Sequence, residues 1–119
     1  MKTLVTGASE NADRYSNRAI RMLRQYGHEV IAVGLRPGNV MDVPIQMVFP
    51  GPETRIDTVT MYVGAQRQPD LYQDILALRP RRVIFNPGTE NPSFEHLLEA
   101  EGIQAEHACT LVLLQTGQY

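Results

Sequence analysis

A loop close to the amino terminus brings together residue types that bind phosphate. A predicted strand at residues 2–6 ends at Gly7, which is followed by Ala8 and Ser9. A glycine lets the backbone approach a ligand closely, and the amides and hydroxyls that follow it can cradle a phosphate group. A turn between a strand and a helix also needs a small residue, so the turn explains Gly7 alone equally well.

Three polar residues follow this loop at the start of a predicted helix: Arg14, Ser16 and Arg18. The first turn of a helix has free N–H groups and the positive end of the helix dipole, and both favour anions. The combination of Gly7, Ser9 and these three residues therefore favours a phosphate site over an ordinary turn.

The loop differs from the dinucleotide-binding fingerprint, because no second or third glycine follows Gly7 at the required spacing. The next predicted strand ends in Val33 and Gly34, without the acidic residue that binds a free ribose diol. Arg36 follows instead, and an arginine at this place suits a phosphorylated ribose, as in NADP or coenzyme A (CoA). A solvated loop charge explains Arg36 equally well.

A third loop, residues 86–91, reads Asn-Pro-Gly-Thr-Glu-Asn after a predicted strand. Pro-Gly is a turn signal, and Asn91 suits the cap of the helix that follows. Loops at the carboxyl ends of parallel strands also border ligands. We therefore expect Asn86, Pro87 and Gly88 to lie beside a ligand.

Short apolar runs alternate with amphipathic stretches along the chain, and this rhythm predicts a β-α-β-α fold with a parallel sheet. The predicted strands cover residues 2–6, 29–33, 57–63, 82–85 and 103–107, and residues 45–49 form a short extra extended piece after a turn-rich connection at 35–44. The predicted helices cover residues 16–26, 69–79 and 91–101, the last with Phe94, Leu97 and Leu98 facing inward. The tail 108–117 fits a strand or a short helix, and we favour the helix.

The predicted fold is α/β, a Rossmann-like three-layer sandwich with a five-stranded parallel sheet. Its 119 residues suffice for a single domain, residues 1–119. Ligands of such sheets bind at the carboxyl ends of the strands, near the point where the strand order reverses. The three loops above and residues 62–66 should therefore share one edge of the sheet.

Composition restricts the partners of the chain. Eleven basic and thirteen acidic residues give a net charge of −2, which argues against nucleic acid or an anionic membrane surface as the main partner. The longest apolar run, residues 111–114, is too short to span a membrane. Cys109 is the one cysteine, so no internal disulfide forms and we expect a reducing, cytoplasmic setting.

Several segments, taken in order, resemble one known family. They are Val5-Thr6-Gly7-Ala8-Ser9 with Arg14, Tyr15 and Ser16 downstream, then Tyr26-Gly27-His28-Glu29-Val30, Val33 with Arg36, Asp57-Thr58-Val59, and Phe85-Asn86-Pro87-Gly88-Thr89-Glu90-Asn91, followed by Gly102-Ile103 and Cys109. The sequence thus resembles the small stand-alone CoA-binding proteins, whose fold is that of the CoA-binding domain of the succinyl-CoA synthetase alpha subunit. It departs from them at Val33-Gly34-Leu35, where members commonly read Val-Asn-Pro.

The resemblance implies a site for CoA or an acyl-CoA. In such a site the phosphorylated ribose contacts Arg36, the adenine lies between Tyr62 and Val63, and the pantetheine runs along Pro87 and Gly88. The diphosphate contacts five residues: Gly7, Ala8, Ser9, Ser16 and Arg18. The synthetase uses a phosphorylated histidine of a second domain. His28, His96 and His107 offer no such role here, so we expect no catalysis.

We therefore expect a nucleotide-binding module that acts as a CoA carrier, a CoA sensor or a regulatory module. A monomer, a homodimer and a complex with an unknown protein partner are all compatible with the sequence. Two alternatives stay open. The first is an NADP-binding, reductase-like protein, although the chain lacks the Tyr-x-x-x-Lys pair of short-chain dehydrogenases. The second is a Rossmann-like interaction domain without a ligand. A nucleophilic pair of Cys109 and His107 is a weaker prediction than a packing role for the cysteine.

Overall fold

Seven strands form one sheet at the centre of the computed structural model, which describes residues 1–119. The strands are β1 (Lys2–Thr6), β2 (Glu29–Val33), β3 (Gly38–Val40), β4 (Val43–Gln46), β5 (Thr58–Met61), β6 (Arg82–Phe85) and β7 (Gln104–His107). The helices are α1 (Tyr15–Gln25), α2 (Tyr72–Leu78), α3 (Pro92–Ala100) and α4 (Thr110–Gln115), and 3₁₀ turns cover Pro52–Thr54 and Ala65–Leu71.

The strands lie in the order β3-β4-β2-β1-β5-β6-β7. All neighbouring strands are parallel except β3 and β4, which are antiparallel. Strands β2 and β5 flank β1 on opposite sides. After β1 the chain first builds β2, β3 and β4 on one side, and then β5, β6 and β7 on the other. The strand order therefore reverses at β1, and the loops after β1, β2 and β5 meet there.

Alternate residues of the central strands pack into two separate cores. In β1, Leu4 belongs to the core that also holds residues of α2 and α3, whereas Val5 belongs to the core with residues of α1 and α4. Both side chains are fully buried. Both faces of the central strands are therefore covered, and the molecule is the predicted three-layer α/β sandwich.

The prediction of a five-stranded sheet is wrong, because two further strands extend it beyond β2. The hairpin of β3 and β4 occupies the stretch predicted as a turn-rich connection with a short extended piece. Val40, Val43 and Ile45 are buried in the core beneath α1, and their burial holds the hairpin on the sheet. Pro37 and Pro44 look like turn signals in the sequence, yet Pro44 lies inside β4, paired with Asn39.

Most of the other predicted elements are confirmed with small shifts at their ends. Strands β1, β2 and β6 have the predicted bounds, and the tail forms a short helix, α4. Asn91 caps α3 by accepting a hydrogen bond from the amide of Phe94 at 3.2 Å. Leu97 was expected to face inward but is exposed, because its position on α3 points away from the sheet. None of the helices has the length and hydrophobicity that a membrane-spanning helix needs.

Candidate functional site

A polar cavity of about 650 Å³ opens where the strand order reverses. The loops after β1, β2 and β5 form its wall. Seven of the residues singled out from the sequence contribute to it: Gly7, Ala8, Ser9, Arg14, Arg36, Tyr62 and Val63. The structure therefore brings together three of the four segments that the fold prediction placed on one edge of the sheet, and the loop at residues 86–91 does not line this cavity.

Three arginines around this cavity have no carboxylate partner. Arg14 precedes α1, Arg36 follows β2, and Arg67 lies in the 3₁₀ turn after β5. None of them forms an ion pair. Of the other seven arginines, four pair with carboxylates, and Arg18, Arg21 and Arg55 do not. Guanidinium groups that converge on one cavity with their donors free are suited to bind phosphate oxygens.

The backbone of the loop after β1 adds further donors. Asn17 fixes the loop by donating a hydrogen bond from its side chain to the carbonyl of Ser9 at 2.9 Å. The amide of Ala8 is used within the fold, since it donates to the carbonyl of Val33 at 3.0 Å, but the amides of Gly7 and Ser9 donate to no acceptor in the chain. Helix α1, which begins behind this loop, has no side-chain cap. Free amides of the loop and of the first helical turn can therefore receive an anion.

Two glycines let the loops approach one another at the cavity. Gly7 has a φ of +71°, and a Cβ atom there would lie 2.7 Å from the carbonyl oxygen of Tyr62. At Gly34 a Cβ atom would lie 2.3 Å from the carbonyl oxygen of Ala8. The loop after β1 thus rests directly on the end of β2, and this contact accounts for the glycine at position 34. Packing alone requires both glycines, so neither is by itself a sign of ligand binding.

A second, mainly apolar cavity of about 550 Å³ adjoins the polar one. Its apolar wall consists of Val33, Leu35, Met47, Val48, Phe49, Val63 and Leu71. The two cavities share Gly7, Leu35, Val63 and Arg67. Together they can hold a ligand that is anionic at one end and weakly polar at the other.

Five residues predicted from the sequence as ligand contacts line neither cavity: Ser16, Arg18, Asn86, Pro87 and Gly88. Ser16 is buried on the inner side of α1. Arg18 lies over the ring of Tyr15, with its guanidinium carbon 5.4 Å from the ring centre. Pro87 and Gly88 are exposed in the turn after β6. The diphosphate contacts of Ser16 and Arg18, and the pantetheine contacts of the turn, are not supported by this geometry.

Asn86 has a structural role instead. Its side-chain amide donates to the hydroxyl of Thr60 at 2.7 Å and to the carbonyl of Met61 at 2.8 Å. Its side-chain oxygen accepts from the amide of Thr110 at 2.9 Å. The side chain is buried and its polar atoms are used, so it connects β5, β6 and the start of α4.

Tyr62 lines the polar cavity, but its hydroxyl group is not available to a ligand there. The hydroxyl is buried and has no hydrogen-bond partner. Burial raises the pKa of Tyr62 well above its ordinary value. The hydroxyl therefore stays protonated and is not a proton acceptor for a ligand.

Sequence reasoning missed several residues of the two walls, notably Arg67 and Glu10 at the polar cavity and Met47, Val48 and Phe49 at the apolar one. Arg67 comes one residue after the stretch 62–66 that was expected to border the site. Met47 to Phe49 follow β4. The sequence predicts an extended piece over residues 45–49, which places these three residues inside the piece rather than in a loop at the site. Identifying β4 from the alternation of buried and exposed residues at 43–46 would have revealed them.

Solved structures share this architecture. A crystal structure of an uncharacterized protein is 42% identical with a TM-score of 0.92, and the match covers 99% of this chain and 97% of that one. A Thermus thermophilus structure, cell-free ID.343, is 22% identical with a TM-score of 0.86, over 99% and 90% of the two chains. A dinucleotide-forming acetyl-coenzyme A synthetase from Ca. Korarchaeum cryptofilum, in complex with phosphate and ADP, is 15% identical with a TM-score of 0.68, over 87% of this chain and 25% of that one. The last two likenesses show the fold alone.

A family model described as CoA binding domain matches residues 1–115. No curated protein matches the sequence significantly. The resemblance noted from the sequence motifs is confirmed by the family match, which takes in nearly the whole chain. The protein therefore belongs to the CoA-binding domain family.

Proposed function

We propose that this protein binds CoA or an acyl-CoA at the polar cavity and the adjoining apolar cavity. The observation that carries the proposal is that Arg14, Arg36 and Arg67 line one cavity and have no carboxylate partner. Phosphate groups are the ligand chemistry that such a set recognises best.

The adjoining apolar cavity supports a ligand longer than a simple phosphate. CoA combines a phosphorylated, strongly anionic end with a long, weakly polar arm. The polar cavity suits the first and the apolar cavity suits uncharged parts, and Arg67 and Leu35 stand where the two meet. Charge–charge contacts to arginine supply the larger share of the specificity, because burial of apolar parts is not directional.

We further propose that binding is non-catalytic and that the protein acts as a carrier, sensor or regulatory module. The histidines and Cys109 line neither cavity. The imidazole of His107 is hydrogen-bonded to the carboxylate of Glu95 at 2.7 Å, and this bond raises the pKa of His107. His107 is thus committed to Glu95 rather than to the thiol of Cys109, which argues against a cysteine–histidine nucleophile.

Calorimetric titration of CoA, dephospho-CoA, NADP and ATP tests the proposal on the wild type and on Arg36→Ala and Arg67→Ala. A charge-assisted hydrogen bond is worth about 1.5–3 kcal/mol, so each substitution should weaken CoA binding roughly ten- to a hundred-fold. Incubation with acetyl-CoA and detection of free thiol tests the absence of catalysis.

Arg55→Asn is the matched control. Arg55 is exposed and forms no ion pair, and it follows the 3₁₀ turn beside the amino end of β1, away from both cavities. Its backbone has a φ of +60°, which asparagine tolerates. Equal losses of affinity in Arg36→Ala and Arg55→Asn would mean non-specific attraction, and no CoA binding by the wild type at millimolar concentration would refute the proposal.

A further inference from the structure

Gln68 is a fully buried polar side chain next to an arginine of the proposed site. It lies in the 3₁₀ turn after β5, directly after Arg67, and its exposed fraction is 0%. Glutamine is mostly found at protein surfaces, because burial of its amide is unfavourable unless the polar atoms are hydrogen-bonded. An apolar residue would fill the same space without this requirement, so the hydrogen bonds of Gln68 are the reason for a glutamine here.

Three hydrogen bonds hold the Gln68 side chain. Its amide nitrogen donates to the carbonyl oxygens of Val63 and Thr89, each at 2.8 Å. Its side-chain oxygen accepts a hydrogen bond from the side-chain amide of Asn91 at 2.9 Å. Both N–H donors are therefore used, and the side chain connects the loop after β5 with the turn after β6 and the cap of α3.

The bond to Val63 closes the short segment that forms one wall of the polar cavity. Val63, Gly64 and Arg67 line that cavity, and the bond joins the two ends of the segment 63–68. Within the segment, the amide of Arg67 donates to the carbonyl of Gly64 at 3.0 Å. The backbone that carries Arg67 is therefore held from inside the molecule by Gln68.

The side chain of Arg67 depends on this support. Arg67 is exposed and lines both the polar and the apolar cavity, and no carboxylate of the chain holds its guanidinium group. A fixed backbone favours binding by such a side chain, because less conformational entropy is lost when the ligand binds. Loss of the Gln68 bonds should therefore weaken the contact that Arg67 makes with a phosphate group.

We propose that Gln68 is a positioning residue that fixes Arg67 at the place where the two cavities meet. This inference rests on the proposed function, because it concerns the same site, and it adds a residue that does not contact the ligand. It also assigns a role to the turn at residues 86–91. That turn lines neither cavity, but its Thr89 carbonyl holds the side chain that positions Arg67.

A double-mutant cycle on CoA affinity tests this role, with Arg67→Ala and Gln68→Met as the two changes. Methionine is close to glutamine in length and volume but has no amide, so it fills the space and leaves both carbonyls without their donor. We expect Gln68→Met to weaken CoA binding roughly five- to tenfold when Arg67 is present, and less than about twofold in the Arg67→Ala background. Calorimetric titration measures the four dissociation constants, at a temperature at which circular dichroism shows every variant folded.

Asn86→Leu is the matched control. Asn86 is also a buried amide with three hydrogen bonds, and it lines neither cavity. The substitution should lower the urea midpoint of unfolding, as Gln68→Met does, but should leave the CoA affinity within about twofold of the wild type. A loss of affinity that comes from lower stability alone would appear in both variants.

Gln68→Asn provides a milder change if the methionine variant does not fold. Its amide is one methylene shorter and does not reach both carbonyls. The same dependence on Arg67 should therefore appear with a smaller loss of affinity.

Two outcomes overturn the inference. Equal weakening by Gln68→Met in both backgrounds would mean that Gln68 shapes the site without acting through Arg67. Unchanged CoA affinity in Gln68→Met would mean that Arg67 needs no positioning. If the wild type does not bind CoA at millimolar concentration, the proposed function itself fails, and this result is distinct from both.

Discussion

The contact between Gly34 and the loop after β1 makes a quantitative prediction for Gly34→Ala. The new Cβ atom would lie 2.3 Å from the carbonyl oxygen of Ala8, which is backbone and cannot rotate away. The loop must therefore move, and the hydrogen bond from the amide of Ala8 to Val33 is stretched or lost. That bond is worth about 1 kcal/mol, and steric overpacking costs about 1–3 kcal/mol.

The free energy of unfolding should accordingly fall by about 2–4 kcal/mol, and Tm by on the order of 10 °C. Urea denaturation followed by circular dichroism measures the first quantity. Gly64→Ala is the matched control, because Gly64 also lines the polar cavity but has an ordinary backbone conformation, φ −62° and ψ 153°, and its Cβ atom would meet no atom closer than 3.4 Å. We expect a change within about 0.5 kcal/mol for this control. Equal stability of the two variants would refute the close packing of the loop on β2.

Further predictions concern the polar interior and the histidines. Asn86→Ala should lower the free energy of unfolding by about 2–4 kcal/mol in urea denaturation, because it removes three buried hydrogen bonds. Asn91→Ala should cost about 2–4 kcal/mol in the same assay, because it removes the cap of α3 and two further hydrogen bonds that the side chain donates to Gln68 and Tyr72. NMR titration should find the pKa of His107 above its ordinary value, owing to its hydrogen bond with Glu95, and that of His28 below it, owing first to burial. The contribution of His107 to the free energy of unfolding is present below about pH 6.5 and is lost as the pH rises through its raised pKa. The contribution of His28 is present above about pH 6.5 and is lost as the pH falls through its lowered pKa.

The sequence predicted the fold well where burial is continuous. Strand β2 is an almost unbroken apolar run, and both β1 and β2 end at a glycine, so their bounds follow from pattern alone. The β3–β4 hairpin was missed because its strands are short and contain Pro44, and only tertiary packing beneath α1 shows that they join the sheet. A sheet edge of this kind is determined by contacts distant in sequence.

Only some residues of the candidate site could be predicted from the sequence, because the site also depends on contacts between distant segments. The general rule for parallel sheets placed Gly7 and Arg36 at one edge, and they do line the polar cavity. The rule does not say whether a polar side chain after a strand faces a ligand or the interior, and Asn86 faces the interior. Arg67 and Glu10 carry no motif of their own, and only the meeting of separate loops shows their place.

The most direct test of the proposed site is titration of the ¹⁵N-labelled protein with CoA, followed by amide chemical shifts. We expect the largest changes at residues 7–11, 34–39 and 62–67, the three segments around the polar cavity. The amides of Asn86 and Gly88 should change little, because the structure places that turn outside both cavities. Large changes confined to Asn86 and Gly88, or none at millimolar CoA, would contradict the proposed site.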